Sequence, residues 1–301
     1  MNRRIFTQSL AVAALSSAAS AVSVAESNTA PTAKAPLFPL SVMLWTVFTD
    51  LSFEERLTKV AEAGYSNIEL VGEYRNWSPI DFTRANAARK RLGLNFDATA
   101  GLTHGIANPA SRDAFLAELA QALQPMETLA CSAMIVLSGN IIPNLSREAQ
   151  HQCCVETLQR AAALIENQQI NGQPVRLLLE CIDPEENPNY FLTSAAEAIL
   201  IVRQVNHPQV QFLYDIFHEQ VAEGNLIEKL EKHIDVIGLI HVADVPGRHQ
   251  PGTGEINYAN IFRKLAELNY SRTVAMEFLP TGDPIAALRA AKALANSTSV
   301  P

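Results

Sequence analysis

Cysteine is scarce in this chain and badly placed for cross-linking. Four occur in 301 residues, and none of their spacings is that of a zinc site. Cys153 and Cys154 are adjacent on a predicted helix and Cys181 lies at a predicted strand end, so buried free thiols are expected for these and for Cys131. No basic run occurs, and 31 acids outnumber 23 bases for a net charge of -8. That excludes a nucleic-acid surface, which needs clustered Lys and Arg against phosphates. Charged residues make up 18%, too few for a disordered or coiled-coil chain, while 48% hydrophobic content supports a sizeable core. No low-complexity segment and no second domain are visible. The first apolar run leads into LWTVFTDLS, which lacks the Gly-rich phosphate turn that an open doubly wound sheet normally shows.

A long apolar run suited to a permanent membrane span is also missing. Residues 10–25 are weakly apolar and rich in Ala and Ser. They follow Arg3-Arg4-Ile5-Phe6, which resembles a twin-arginine export signal; an ordinary secretory signal is the alternative. Cleavage after Ala21 or after Ala25 fits the small residues there. Residues 1–25 are therefore expected to be a signal peptide, 26–36 a flexible leader, and 37–298 the folded domain of a periplasmic or exported protein. Export of an already folded chain would let the protein take its metal in the cytoplasm.

From Leu40 onward, eight short apolar runs alternate with amphipathic segments. The runs are 41–47, 67–71, 94–100, 133–139, 175–180, 210–215, 236–242 and 273–278. Ser52-Phe53-Glu54-Glu55 is a capping box for the first helix and Gly64 ends it. Asp81 is expected to cap the second. Helices are further expected from Ser111 or Arg112, over 146–169 up to Asn171-Gly172, from Thr193 or Ser194 to His207-Pro208, over 219–233, over 257–268, and from Asp283-Pro284. Eight strand–helix units in this length predict an α/β fold, a single (β/α)8 TIM barrel of about 250 residues.

Four chemically active side chains end four successive runs. They are Glu180 in LLLECID, Asp215 in FLYDIFH, His241 in IGLIHVAD and Glu277 in TVAMEFLP. A barrel gathers its chemistry at the C-terminal ends of its strands. Burying three carboxylates together costs several kcal/mol per unpaired charge, roughly. Arg248 is the lone base close enough in the pattern to offset them. A divalent cation solves the electrostatics, and mostly oxygen ligands plus one imidazole favour Mn²⁺ or Mg²⁺. Such a cation can hold the adjacent oxygens of a small hydroxy-carbonyl compound and acidify the C–H between them. Glu180 and Glu277 would then remove a proton from one carbon and return it to the next, through an enediolate.

At these residues the chain resembles the hydroxypyruvate isomerase family of the xylose-isomerase-like barrels. The resemblance spans most of residues 40–295. Its specific part is HVADVPGRHQPGTGEINYANIF (241–262), joined by Tyr214-Asp215-Ile216-Phe217-His218, Leu179-Glu180 and Met276-Glu277. It implies an acid/base pair at Glu180 and Glu277, which also ligate the metal, with Asp215 and His241 completing the metal site and His218 and Arg248 on substrate oxygens. Many hydroxypyruvate isomerases have Gln where this chain has His241, an imidazole that is more like the keto-sugar 3-epimerases, and Cys181 replaces a usual Pro. The expected reaction is hydroxypyruvate to tartronate semialdehyde. A keto-sugar epimerase or isomerase, a dehydratase of the same superfamily and an exported solute-binding protein are the alternatives. A homo-oligomer is left open.

The supporting residues admit two readings each. His218 is a substrate contact or a core histidine. Arg248 is a fork for substrate oxygens or a loop charge. His104 and Glu255 are substrate contacts or ordinary loop residues. The glycines of 252–254 suggest a lid. Trp45 is expected to pack in the core rather than wall the pocket. Glu69 and Glu73 are expected to support a ligand or to pair with Arg75.

Overall fold

The computed structural model describes residues 38–297. The expected signal peptide (1–25) and leader (26–36), and residues 37 and 298 of the expected domain, lie outside the described residues. Eight parallel strands close on themselves: β1 (Leu40–Met43), β2 (Asn67–Val71), β3 (Asn95–Ala100), β4 (Ala133–Leu137), β5 (Arg176–Glu180), β6 (Val210–Asp215), β7 (Ile237–Val242) and β8 (Val274–Met276). Each strand pairs with its sequence neighbours, and β8 returns to β1 through Leu40↔Val274. The predicted barrel is the observed one.

The helices form the outer ring: α1 (Phe53–Glu62), α2 (Pro79–Leu92), α3 (Arg112–Leu129), α4 (Arg147–Ile165), α5 (Ala195–Val205), α6 (Ile216–Ala222), α7 (Leu226–His233), α8 (Tyr258–Glu267) and α9 (Pro284–Ser297). The Ser52–Glu55 capping box opens α1 as expected. For α2 the cap is Ser78, with Asp81 completing the box from the third helical position rather than capping. The single helix expected over 219–233 is two. Gly224 (φ +67°) and Asn225 (φ +56°) take left-handed conformations and break it. The helix expected over 146–169 stops at Ile165, and a small hairpin pairs Gln169–Ile170 with Gln173–Pro174 around Asn171-Gly172.

The core has two parts. Met43, Ala98, Ala133, Ile135, Leu178, Leu213 and Leu239 fill the barrel, while a larger apolar cluster lies between strands and helices. Side chains two apart on a strand share a face. Glu180, Asp215 and His241 each lie two residues past an interior leucine, so they too point into the barrel, one layer nearer its C-terminal end. An irregularity at Phe212/Leu213 sets the β6–β7 register and pairs Asp215 with His241.

Candidate active site

The ends of β5 to β8 bring the four predicted ligands together. One donor atom from each of Glu180, Asp215, His241 and Glu277 lies within 4.8 Å of the others, and all four residues are buried. His241 Nδ1 is 2.7 Å from Glu277 Oε2, 3.6 Å from Glu180 Oε1 and 3.9 Å from Asp215 Oδ2. Strand β8 is shorter than expected, so Glu277 follows it, held by its N–H donating to Val242 O at 3.1 Å.

Asp215 does two jobs. Its Oδ1 caps α6, accepting from Phe217 N (2.7 Å) and His218 N (3.2 Å). That leaves Oδ2 facing His241, His218 and Arg248. The cap also fixes the first turn of α6, which places His218 Nε2 3.6 Å from Asp215 Oδ2. His218 Nδ1 meets Asp183 Oδ2 at 2.6 Å. Burial opposes the imidazolium, but Asp215 and Asp183 outweigh it and push its pKa up to about 9.

Arg248 reaches into the same space from the loop after β7. Its Nη2 is 2.9 Å from Glu277 Oε2 and 3.4 Å from Asp215 Oδ2, and its Nη1 is 2.7 Å from Glu186 Oε2. The guanidinium also lies over the rings of Phe217 (5.1 Å) and Trp45 (5.5 Å). Its backbone is left-handed (φ +56°), held by Leu279 N donating to Arg248 O at 2.7 Å. Burial would raise the Glu277 carboxyl, yet the charges of His241 and Arg248 hold it well below the usual carboxylate range. Glu180 is raised, chiefly by burial against partial compensation from His241.

The donor set fits a divalent cation. Nε2 of His241 is 2.8 Å from Glu69 Oε2, a carboxylate buried inside β2. A proton on Nε2 leaves the Nδ1 lone pair turned toward the three acids, the arrangement in which a second carboxylate fixes a ligating histidine. His241 Nδ1 and Glu277 Oε2 are both buried, and although they lie 2.7 Å apart neither makes a well-directed hydrogen bond. Glu180, Asp215, His241 and Glu277 would hold the ion between them.

The other predicted residues divide. His104 is exposed and pairs with Glu118 at 3.0 Å. Glu255 is exposed and accepts from Gln220 Nε2 at 3.1 Å. Neither appears in the four-residue cluster. Trp45 does not pack in the core as expected. The chain turns out of β1 into a 3-10 turn (Leu44–Thr46), leaving the indole 38% exposed with Nε1 donating to Glu277 Oε1 at 2.8 Å. Glu69 supports His241, and Glu73 pairs with Arg56 at 3.8 Å instead of Arg75. The four cysteines are free and buried as expected.

Asp183, Glu186 and Asp244 escaped sequence reasoning. Asp183 accepts from the N–H groups of Glu185 (2.8 Å) and Glu186 (2.9 Å), which fixes the loop carrying Glu186. Asp244 accepts four N–H groups of its own loop: Val245 and Ile256 on Oδ1 (both 3.0 Å), Gly252 and Gly254 on Oδ2 (both 2.9 Å). The loop expected to be a lid is thus pinned from within. The signal available was an acid between small or apolar residues (VADVPG), which is common in loops of no function.

The model of the xylose isomerase-like TIM barrel family matches residues 57–296. A putative hydroxypyruvate isomerase of Danio rerio is 31% identical over 269 residues, covering 84% of this chain and 94% of that protein. A 2-oxo-tetronate isomerase of Pectobacterium atrosepticum is 29% identical over 240 residues, covering 78% of this chain and 90% of its own length. Among solved structures, an AP endonuclease, family 2, from Brucella melitensis superposes with a TM-score of 0.75 at 26% identity, over 84% of this chain and 96% of that one. Among the described residues, no helix is long and apolar enough to cross a membrane.

Proposed function

Given that the chain belongs to the xylose isomerase-like TIM barrel family, we propose that it is an isomerase moving a proton between adjacent carbons of a small hydroxy-carbonyl compound. Hydroxypyruvate to tartronate semialdehyde is the reaction that its relatives' names favour. The observation that carries this reading is the meeting of two glutamates from β5 and β8 with one aspartate and one imidazole. A bound Mn²⁺ or Mg²⁺ would polarise the carbonyl and acidify the neighbouring C–H.

The side chains supply the rest. Glu277, held ionised by His241 and Arg248, takes the proton from the hydroxyl-bearing carbon. Glu180, whose carboxyl is raised by burial, delivers one to the former carbonyl carbon, and the hydroxyl proton passes to the former carbonyl oxygen; the proton left on Glu277 is exchanged and Glu180 is reprotonated before the next turnover. No electron leaves the substrate. Trp45 Nε1 and Arg248 hold the Glu277 carboxylate in place. His218, set by Asp183, and Arg248, set by its loop, donate to substrate oxygens or a substrate carboxylate. Glu180 and Glu277 are buried, which limits competition from bulk water for the proton.

The test is turnover of Glu277→Gln with Mn²⁺ present, together with exchange of substrate hydrogen in heavy water. Turnover is expected to fall about 10²- to 10⁴-fold while substrate still binds. Turnover at the wild-type rate would overturn the acid/base assignment, and a solute-binding protein would show no turnover in either form.

A second reading, a keto-sugar epimerase or isomerase, is favoured by the mouth. Trp45, Leu137, Ile141 and Leu279 follow or end strands on the ligand side and are 37–47% exposed. Such an apolar rim suits a longer carbon chain than that of hydroxypyruvate. A panel of keto-acids and keto-sugars separates the two by kcat/KM. We further propose export through the twin-arginine route, which Arg3-Arg4-Ile5-Phe6 supports. Replacing both arginines with lysine should leave the protein in the cytoplasm, as fractionation would show.

A further inference from the structure

The opposite end of the barrel holds a feature that the isomerase chemistry does not use. A cavity of about 360 Å³ opens there, lined by Ser132, Arg176, Gln211, Ser271, Arg272 and Thr273 among others, with no Asp or Glu in its wall. Both arginines are half-buried. Arg176 Nη1 donates to Gln211 Oε1 (3.3 Å) and Gly238 O (3.4 Å), and Arg272 Nη1 donates to Ile237 O. Among the described residues neither is ion-paired with a carboxylate.

Two guanidiniums held side by side without a counter-charge repel each other. Burial and then the Arg272 charge push the Arg176 pKa down. The acids at hand do not compensate. Asp235 is engaged at both oxygens by Arg203, at 3.0 Å each. Asp97, which acts on Arg176 through space, has its own pKa pushed up to about 8 by burial and by Glu69, so at neutral pH it mostly carries a proton. The chain as a whole is at -8, yet this cavity is cationic. Its seat is built: a Cβ at Gly238 would collide with Gln211, so glycine there is what lets Gln211 lie under Arg176.

We propose that this end of the barrel binds a small oxyanion of the phosphate class, gripped between Arg176 and Arg272 in a cavity that Ser271 also lines. Guanidinium forks suit the oxygens of phosphate or carboxylate. The position gives the site a purpose. Arg176 opens β5, Gln211 lies on β6, Gly238 on β7, and Arg272 and Thr273 lead into β8. These are the four strands whose far ends carry Glu180, Asp215, His241 and Glu277. An anion here would fasten their near ends together without entering the chemistry.

The experiment is thermal unfolding of the full chain in inorganic phosphate, sulfate, acetate or glycerol phosphate, each against chloride at equal ionic strength. At about ten times half-saturation, phosphate is expected to raise Tm by about 3 °C over chloride. Arg272→Gln and Arg176→Gln should lose that rise, while Arg263→Gln, an exposed helix arginine, keeps it. Arg272→Gln should retain full isomerase turnover. A larger rise with glycerol phosphate than with phosphate identifies a phosphate ester as the natural occupant; a rise with acetate alone overturns the phosphate class. Equal Tm in phosphate and chloride, or a rise that survives in Arg272→Gln, overturns the site. Failure of the isomerase reading would leave these outcomes unchanged.

Discussion

Inside the barrel, Glu69 and Asp97 each carry a carboxylate away from the surface, and each is stabilised by a different neighbour. Burial raises both. Glu69 is countered by His241 at 2.8 Å, which makes it the group that orients the imidazole. Glu69→Gln keeps the shape but replaces the anionic acceptor with a neutral one. Mn²⁺ affinity, measured by calorimetry, is expected to fall about tenfold with an unchanged circular dichroism spectrum. Unchanged affinity would mean that His241 is oriented by something else. Asp97 accepts from Ser41 Oγ at 2.8 Å, while its Oδ2 is buried without a partner although the residue as a whole is only half-buried. With its folded pKa near 8 and the ordinary value about 3.9, the protonated form is the one the fold favours. Its contribution is intact below about pH 4 and drains away as pH rises toward 8. Asp97→Asn cannot ionise. Wild-type Tm should therefore fall relative to the variant between about pH 5 and pH 8; parallel curves would show that Asp97 does not titrate there. Both acids stand in strands that read as apolar. Period-two alternation places Glu69 inward, but its partner lies 172 residues away on β7, and local pattern carries no such information.

The loop after β7 works as a unit. Asp244 is buried and gathers four backbone N–H groups, and His249 O accepts from Asp244 N at 2.8 Å to close the base. Gly254 has to be glycine, because a Cβ would press on Val245 O and on Asp244 Oδ1 at 2.6 Å. Arg248 owes its aim to this scaffold. Asp244→Asn leaves one oxygen for four donors and weakens charge-assisted bonds worth about 1.5–3 kcal/mol each. The expected outcome is a lower Tm and a KM raised several-fold, with Mn²⁺ affinity nearly unchanged, since no ligand sits in the loop. A fall in metal affinity equal to the rise in KM would instead mean that the loop holds the ligand cluster. The glycine-rich sequence of 252–254 reads as flexibility because glycine permits it; the four hydrogen bonds to one aspartate remove it. The break between α6 and α7 has the same character: Gly224 and Asn225 are weak helix formers, and only their left-handed geometry ended the helix.

At the scale of the whole molecule, the metal site and the fold are linked. Four strand ends converge on one small volume, and a cation bound there would offset the repulsion among three carboxylates that Arg248 compensates only in part. Chelation should lower Tm and Mn²⁺ should restore it. At about a thousandfold excess over Kd the stabilisation is about 4 kcal/mol, several degrees for a domain of this size. No Tm change on chelation, with full activity, would remove the ion from both structure and chemistry.

The order of apolar runs, their spacing and the acid or imidazole at the ends of the last four determined the barrel and the four candidate ligands at its C-terminal end, because strand period and strand order are local properties that short-range pattern preserves. Tertiary structure alone decided which residues serve those four. Glu69 behind His241, Asp183 behind His218, Trp45 on Glu277 and Asp244 beneath Arg248 are meetings or loop closures made by the barrel's curvature and its turns. Distances of a few ångströms between segments far apart in the chain depend on how eight strands close, and no window of sequence contains that closure.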